Sequence, residues 1–308
     1  MLVKENRKHI LVTGTHRSGT TWVGRTLSKT KNVELVYEPF NPETTRYNFE
    51  YKFDHWFEHV PTSQNYREIK REFDRYIPNT AFQYPAKICR ESGYNWKTPL
   101  IYLKYLLLSG NRPRYLLKDP IALLSAGWLY ERYQLKVICM IRNPLAFAGS
   151  LKKQGWDFDF KNFLNQEKLI NTRLEPFKKE IEKTDAEGDF IDRISLLWNV
   201  LNFVILDYRE TYPEWLFMKH EKLAQDPIEN FRKMFTYLDL EFSEEIEQYI
   251  REFTSKQNPA EAESNDYQPR DSKQTIHTWK NRLTDDEAKR VKEKTAKIYR
   301  KLYTAEES

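Results

Sequence analysis

The stretch that decides the fold is His9-Ile-Leu-Val-Thr-Gly-Thr-His-Arg-Ser-Gly-Thr-Thr-Trp-Val-Gly-Arg-Thr-Leu27. An apolar run rich in β-branched residues, Ile10 to Val12, leads into a turn that contains Gly14 and Gly19, and helix-forming residues follow. This order predicts a β-strand, a phosphate-binding loop and a helix. In such a loop the backbone N–H groups and the helix N-terminus surround an anion.

The loop departs from a nucleoside-triphosphate loop at one decisive position. In the pattern G-x-x-x-x-G-K-[ST], the lysine contacts the β- and γ-phosphates and the hydroxyl residue binds Mg²⁺. Here Thr20 stands where that lysine would be, and Arg17 offers a cation from within the loop. We therefore expect the loop to hold an anion other than a magnesium triphosphate. On these residues alone, a plain glycine turn between a strand and a helix stays open as the alternative.

Composition limits the class of protein. The 308 residues include 50 Lys and Arg against 45 Asp and Glu, a net charge of +5, which does not indicate a dedicated nucleic-acid binder. With 40% hydrophobic residues, global disorder is not expected. Two cysteines, Cys89 and Cys139, allow neither a disulfide framework nor a cysteine-rich metal site. We expect one domain over residues 1–308, no membrane span and a cytoplasmic location, although a chain trimmed of an N-terminal anchor would look the same.

The rest of the chain alternates short apolar runs with helical patterns. Further strands are predicted at residues 33–37, 114–118, 135–141 and 215–218. Two long helices are predicted within residues 161–212, and a capping box from Thr284 to Glu287 opens a last amphipathic helix. This alternation predicts an α/β fold, a single-domain parallel sheet of about five strands flanked by helices. For the aromatic residues of 41–112, an insert that lines an acceptor site and a packed surface loop are both open.

Two motifs carry a resemblance to a known family. The run Arg17-Ser-Gly-Thr-Thr-Trp22 resembles the 5′-phosphosulfate loop of the sulfotransferases, which use 3′-phosphoadenosine 5′-phosphosulfate (PAPS) and have a fold related to the P-loop NTPases. The predicted fourth strand ends in Arg142, and Ser150 follows about two helical turns later. In the sulfotransferases an Arg and a Ser at this spacing hold the 3′-phosphate, so the resemblance implies that role here. By itself, an Arg at a strand end is often a surface ion pair.

The resemblance also implies a catalytic base. Glu38, after the second strand, lies in a segment similar to one that supplies a base in carbohydrate and tyrosyl-protein sulfotransferases. Lys118 begins a K-x-P pattern, and Pro120 stands where small-molecule members carry a His, so the departure favours Glu38 as the base. Asp119 is the other candidate, and we prefer a helix-capping role for it. A solvated turn residue is the alternative for Glu38.

The remaining donor contacts are implied by position in the family pattern. Trp22 matches a residue that packs on adenine, with a core tryptophan as the alternative, while His220 replaces an adenine-side Tyr. Residues 257–308 resemble the segment that closes over the 3′-phosphate end, in which the contacting cation stays open. The implied donor site comprises Arg17, Ser18, Gly19, Thr20, Thr21, Trp22, Arg142, Ser150, His220, Lys273 and Thr278, and the implied catalytic residues are Glu38, Arg17 and Lys118. No metal is expected, because fixed cations surround this donor.

The expected function is that of a PAPS-dependent sulfotransferase of the bacterial or carbohydrate type. It would transfer a sulfuryl group to an acceptor hydroxyl and release 3′-phosphoadenosine 5′-phosphate (PAP) and a sulfate ester. The glutamate base and the aromatic residues 47–57 favour a sugar or glycolipid acceptor. A small-molecule kinase or NTPase with a degenerate phosphate loop, and a non-catalytic nucleotide-binding protein, are the alternatives. No nucleic-acid partner is expected, and the sequence is silent on oligomeric state.

Overall fold

The fold is a parallel sheet with helices on both faces. The computed structural model describes residues 8–43, 51–77, 98–107, 113–261 and 267–303. Over these residues the strands are β1 Ile10–Gly14, β2 Val33–Tyr37, β3 Arg114–Lys118, β4 Lys136–Ile141 and β5 Leu216–Lys219. They form one five-stranded sheet in the order β2-β3-β1-β4-β5, and every neighbouring pair is parallel. The predicted α/β class and the predicted sheet are therefore confirmed.

Helices connect the strands and extend the chain beyond the sheet. In chain order they are α1 Thr20–Leu27, α2 Tyr66–Tyr76, α3 Thr98–Leu107, α4 Ala126–Tyr133, α5 Pro144–Gln154, α6 Lys161–Leu164, α7 Glu167–Ile170, α8 Lys178–Glu187, α9 Phe190–Thr211, α10 His220–Gln225, α11 Pro227–Tyr237, α12 Glu244–Phe253, α13 Ser272–Thr275 and α14 Asp285–Tyr303. Short 3₁₀ turns lie at Val60–Thr62, Ile121–Ser125, Glu175–Phe177 and Thr278–Asn281. None of the described helices combines the length and apolarity needed to span a bilayer.

Strand β1 lies at the centre of the sheet and is buried along its whole length. Leu11 packs into a hydrophobic cluster that includes α9, while Ile10 and Val12 pack into a second cluster with α1 and α11. Side chains alternate between the two faces of a strand, so an apolar strand such as β1 can be covered on both sides. The chain therefore leaves β1 at the middle of one sheet edge, between the ends of β3 and β4.

Side-chain caps define several helix ends. Asn143 Oδ1 accepts a hydrogen bond from Leu145 N at 2.9 Å, at the start of α5. At α14, Thr284 N donates to Glu287 Oε2 at 2.8 Å and Glu287 N donates to Thr284 Oγ1 at 3.2 Å. These bonds satisfy backbone donors that have no partner within the first turn of a helix. The predicted capping box is confirmed.

Two long helices are predicted within residues 161–212, and the prediction of the first is wrong. Only α9 is long, and the preceding segment is divided into α6, α7, a 3₁₀ turn and α8. Asn162 Oδ1 accepts a hydrogen bond from Trp56 N at 2.9 Å, and Gln166 Oε1 accepts one from His59 N at 2.8 Å. These side chains serve the backbone of a distant segment, a tertiary role that helical periodicity does not reveal. Of the candidate insert 41–112, residues 44–50, 78–97, which include Cys89, and 108–112 lie outside the described residues.

Candidate functional site

The loop between β1 and α1 turns sharply at glycine positions. Gly14 has a φ of +134°, and a Cβ there would come within 2.1 Å of the Met140 carbonyl oxygen. Gly19 has a φ of +90°, and Arg17 also takes a left-handed conformation, with a φ of +62°. Glycine adopts such angles without a steric penalty, so both glycines are required by the turn. The loop therefore wraps closely around the end of β1.

A cavity of about 520 Å³ lies at this edge of the sheet. Residues predicted for the site line it from the loop, three strand ends and the late part of the chain, namely Arg17, Gly19, Thr20, Thr21, Trp22, Glu38, Lys118, Arg142, Ser150, His220 and Thr278. Ser18 and Lys273 are not among the lining residues. The Ser18 side chain is buried and donates its hydroxyl proton to the Thr15 carbonyl. Lys273, implied as a donor ligand by the resemblance, is exposed at the surface.

Arginine side chains concentrate positive charge at one end of the cavity. Arg142 donates from Nη1 to the Arg17 carbonyl, and Arg17 Nε donates to Ser150 Oγ at 3.1 Å. The carbonyl of Arg142 accepts a hydrogen bond from the Trp198 indole at 2.9 Å. Arg142 is 8% exposed, and its Nε has no hydrogen-bond partner among the described residues. The guanidinium is therefore held by the Arg17 carbonyl, and its Nε remains a donor without a partner among the described residues.

Two further arginines, Arg270 and Arg282, line the same end. Their charges, after burial, lower the pKa of Arg17, and burial with these neighbouring cations lowers the pKa of Arg142 to about 10. Glu261 pairs with Arg282 at 3.0 Å and with Lys153 at 2.6 Å. Sequence reasoning left the late cation open, and the structure brings Arg270 and Arg282 to the cavity instead of Lys273.

His220 and Trp22 lie on the α1 side of the loop. Their rings meet edge-on with centroids 6.3 Å apart, and Trp22 also packs against Phe231 at 5.4 Å. Burial, together with the charge of Arg142, lowers the pKa of His220 to about 3, so the imidazole is neutral. Its Nδ1 is buried without a partner in the described part of the chain, and a Cβ on Gly19 would come within 2.8 Å of it. Both residues thus line the cavity. The resemblance to the family implies that they contact the adenine ring of the donor.

The candidate base lines the same cavity. Glu38 adopts a left-handed conformation, with a φ of +51°, directly after β2. Its carboxylate accepts a hydrogen bond from the Lys118 ammonium and another from Asn41 Nδ2 at 3.1 Å. The Lys118 ammonium also lies 3.8 Å from the centroid of the Tyr37 ring. A carboxylate, a buried cation and an aromatic face therefore meet at one wall of the cavity.

Asp119 does not reach the cavity. It is fully buried, and its carboxylate accepts hydrogen bonds from the backbone N–H groups of Phe40 at 2.7 Å, Ile121 at 2.9 Å and Ala122 at 3.1 Å. Burial, followed by the charge of Glu38, raises the pKa of Asp119 to about 7. The contacts to Ile121 and Ala122 cap the 3₁₀ turn that follows β3, so the preferred capping role is confirmed.

Two tryptophans stand at the mouth of the cavity. Trp156 is 45% exposed, and the Arg17 guanidinium lies 5.3 Å from the centroid of its ring. Trp56 lines the cavity as well, held by its backbone bond to Asn162. The sequence points to Trp56 through the aromatic residues before it, but gives no signal that Trp156, which follows the end of α5, would reach the same cavity.

The sequence model of the Sulfotransferase domain family matches residues 7–303, nearly the whole chain. The chain belongs to this family. The protein is therefore a sulfotransferase, a PAPS-dependent enzyme that transfers a sulfuryl group from this nucleotide donor to an acceptor. Membership supports the sulfotransferase over the two alternatives that the sequence left open, a kinase or NTPase and a non-catalytic nucleotide-binding protein.

Several solved sulfotransferase structures resemble the chain, all at low sequence identity. The sulfotransferase domain from the curacin biosynthetic pathway is 14% identical, with a TM-score of 0.49 and coverage of 96% of this chain and 97% of that one. Mouse sulfotransferase SULT7A1 complexed with PAP is 14% identical, with a TM-score of 0.43 and coverage of 96% and 85%. Sulfotransferase STF9 from Mycobacterium avium is 15% identical, with a TM-score of 0.45 and coverage of 96% and 77%. No curated protein sequence matches the chain.

Proposed function

We propose that this sulfotransferase transfers the sulfuryl group of PAPS to a hydroxyl of a carbohydrate, with Glu38 as the base. The observation that carries the proposal is the Glu38 carboxylate at the cavity wall, bonded to Lys118 and on the same cavity as the anion loop. A base must lie within hydrogen-bond reach of the proton that it accepts, and a cavity-lining carboxylate meets that requirement.

The lining residues fit a donor with a 5′-phosphosulfate and a 3′-phosphate. The loop from Arg17 to Thr21 offers backbone N–H groups at the N-terminus of α1, a ready site for the phosphosulfate. The unpartnered Nε of Arg142, with Arg270 and Arg282 nearby, suits the 3′-phosphate. On the α1 side, Trp22 and His220 offer ring surfaces to the adenine.

The charged residues of the site then comprise one base and two stabilising cations. When bound, PAPS supplies the electrophilic sulfur and PAP as the leaving group. Glu38 takes the proton of the acceptor hydroxyl while the hydroxyl oxygen forms a bond to sulfur. At the same time, the bond between sulfur and the oxygen that bridges it to the 5′-phosphate breaks. Arg17 and Lys118 stabilise the negative charge that develops on the leaving phosphate, and preorganised charges of this kind are often the largest contribution to catalysis. Because these cations are fixed, we expect turnover to persist in excess EDTA.

Replacing Glu38 tests the assignment of the base. Glu38→Gln is expected to lower turnover by roughly 10²-fold or more, the range usual for general-base catalysis, while the affinity for PAP is retained. Asp119→Asn is the contrasting variant, which loses an acceptor for buried backbone N–H groups and is expected to lose about 1 to 3 kcal/mol of stability. Turnover is measured as PAP release from PAPS with a panel of saccharides. The affinity for PAP is measured by calorimetry. Near-normal turnover of Glu38→Gln would remove Glu38 from the mechanism.

The two tryptophans at the mouth support a carbohydrate acceptor. The C–H face of a sugar ring is apolar and packs well on an aromatic surface, while hydroxyl groups need polar partners. Trp56 and Trp156 offer such surfaces, and Asn41 and Gln154 line the same cavity with amide groups. This combination suits a sugar better than a phenol or a steroid, which carries few hydroxyl groups on an apolar frame.

Substitution of Trp156 tests this acceptor class. Trp156→Ala is expected to raise the KM for a saccharide about tenfold, through loss of roughly 1.4 kcal/mol of aromatic contact, and Trp156→Phe is expected to keep most of the affinity. The dissociation constant of PAP serves as the control and should change less than the KM in both variants. Equal activity on simple phenols and on every saccharide tested would contradict the carbohydrate assignment.

A further inference from the structure

The ammonium group of Lys118 is held by two partners of different kinds. Lys118 is 1% exposed, and its stem is closely packed, because a Cβ on Gly24 would come within 2.9 Å of Lys118 Cγ. One partner of the ammonium is the Glu38 carboxylate, and the other is the face of the Tyr37 ring, at 3.8 Å. The cation therefore has a counter-ion and an aromatic surface on adjacent residues.

This arrangement depends on the backbone at the end of β2. Successive side chains of an extended strand point to opposite faces, so Tyr37 and Glu38 would not ordinarily meet one group. The left-handed conformation of Glu38, with its φ of +51°, breaks that alternation, and Glu38 N donates to the Lys118 carbonyl at 2.9 Å. A non-glycine residue in this region is uncommon and costs energy, which the surrounding contacts must offset.

The proposed reaction removes one of the two partners. When Glu38 takes the acceptor's proton, its carboxylate becomes neutral, and the buried ammonium of Lys118 loses this partner while negative charge develops on the leaving phosphate. The ammonium stabilises that charge only if it is held in position during the step. The Tyr37 ring is unaffected by the proton transfer, and a desolvated cation over a ring can gain about 2 kcal/mol.

We propose that Tyr37 is a positioning residue for sulfuryl transfer, which holds the Lys118 ammonium in place while Glu38 is protonated. The inference rests on the proposed role of Glu38 as the base. The Tyr37 hydroxyl lies 3.4 Å from Thr21 Oγ1, so the ring is also joined to the first turn of α1, beside the anion loop. The aromatic face is the active feature, and the hydroxyl only orients it.

Two substitutions separate the ring from the hydroxyl. Tyr37→Leu is expected to lower kcat about tenfold, because the ring no longer stabilises the cation after proton transfer. Tyr37→Phe keeps the ring and is expected to stay within about twofold of the native kcat. The dissociation constant of PAP should be unchanged in both variants, because Glu38 still pairs with Lys118 before the reaction. Equal loss of kcat in both variants would overturn the role of the ring.

A second measurement needs neither donor nor acceptor. Glu38→Gln mimics the neutral, protonated base. In the free enzyme this variant should therefore leave the Tyr37 ring as the main group that stabilises the Lys118 ammonium. The melting temperature of Tyr37→Leu combined with Glu38→Gln is expected to fall about 2 to 4 °C further than the sum of the single variants, whereas Tyr37→Phe combined with Glu38→Gln should be additive. Repeating the cycle with Lys118→Met should abolish the coupling, because no cation remains.

Failure of the inference about Tyr37 and failure of the base assignment to Glu38 would give different results. An additive cycle for Tyr37→Leu, or coupling that persists with Lys118→Met, overturns the inference whatever the turnover of Glu38→Gln. Near-normal turnover of Glu38→Gln instead overturns the base assignment, and the role of Tyr37 in catalysis falls with it. Coupling in the cycle together with loss of kcat in Tyr37→Leu and its rescue in Tyr37→Phe supports both.

Discussion

Arg142 offers the sharpest test of where the 3′-phosphate of the donor binds in the cavity. Its guanidinium is 8% exposed, Nη1 is engaged by the Arg17 carbonyl, and Nε has no partner in the described part of the protein. If that free donor holds the 3′-phosphate, Arg142→Ala removes a charge-assisted hydrogen bond worth about 1.5 to 3 kcal/mol. The expected loss of PAP affinity is therefore about 10- to 150-fold.

The assay compares two nucleotides that differ in the group under test. Calorimetric titration with PAP should show the full loss, and adenosine 5′-phosphosulfate, which lacks the 3′-phosphate, should show a small one. Arg142→Lys keeps a cation but not the planar fork and is expected to lie between the two extremes. Lys273→Ala is the matched control, because Lys273 is exposed and does not line the cavity. Its titrations should match those of the native protein.

Two results would refute this reasoning. Equal loss for PAP and adenosine 5′-phosphosulfate in Arg142→Ala would mean that Arg142 supports the loop through the Arg17 carbonyl and does not contact the 3′-phosphate. A loss in Lys273→Ala as large as in Arg142→Ala would mean that the late segment contacts the donor through Lys273, as the resemblance implied.

Three further predictions concern the fold and the donor. Gly14→Ala is expected to lower the free energy of unfolding by more than about 3 kcal/mol, whereas Gly155→Ala, whose Cβ meets nothing within 4 Å, should cost about 1 to 2 kcal/mol, as measured by chemical denaturation. The pKa of His220 is lowered from 6.5 to about 3, so it contributes stability above pH 6.5 that is lost as the pH falls toward 3. His220→Gln should therefore reduce the slope of the unfolding free energy between pH 6 and 4 by up to about 1.4 kcal/mol per pH unit, as measured by chemical denaturation at a series of pH values. PAP at about 100 times its dissociation constant should stabilise the fold by about 2.7 kcal/mol, and a larger shift with ATP and Mg²⁺ than with PAP would contradict the donor assignment.

The strands and their site residues could be predicted because each signal is local. Residues 33–37 and 114–118 coincide with β2 and β3, since a short run rich in apolar residues and bounded by turn residues is typical of a strand. Glu38, Lys118 and Arg142 all come at or directly after a strand end, and parallel strands bring those ends to one edge. The topology of the sheet then brings these three residues to one cavity.

Other features depend on contacts between distant parts of the chain. Asn162 and Gln166 interrupt a helical pattern because their side chains bind backbone groups near Trp56 and His59. Arg270 lines the cavity and Lys273 does not, and Asp271 between them begins a helical turn, with its Oδ1 accepting a hydrogen bond from Lys273 N at 3.1 Å. Residue type alone cannot decide which neighbour in such a turn points inward.

The distribution of charge explains how such a site can bind a polyanion through fixed side chains. Arg17, Arg142, Arg270 and Arg282 lie close enough that each of the first three has its pKa lowered by the charge of at least one other. Holding like charges together costs energy in the free protein, and folding must offset that cost. A phosphate that enters this end of the cavity relieves the repulsion and gains the attraction of cations that need no reorganisation. The charge of Glu221 acts on Arg142, and Glu261 pairs with Arg282, so these two carboxylates offset part of the repulsion.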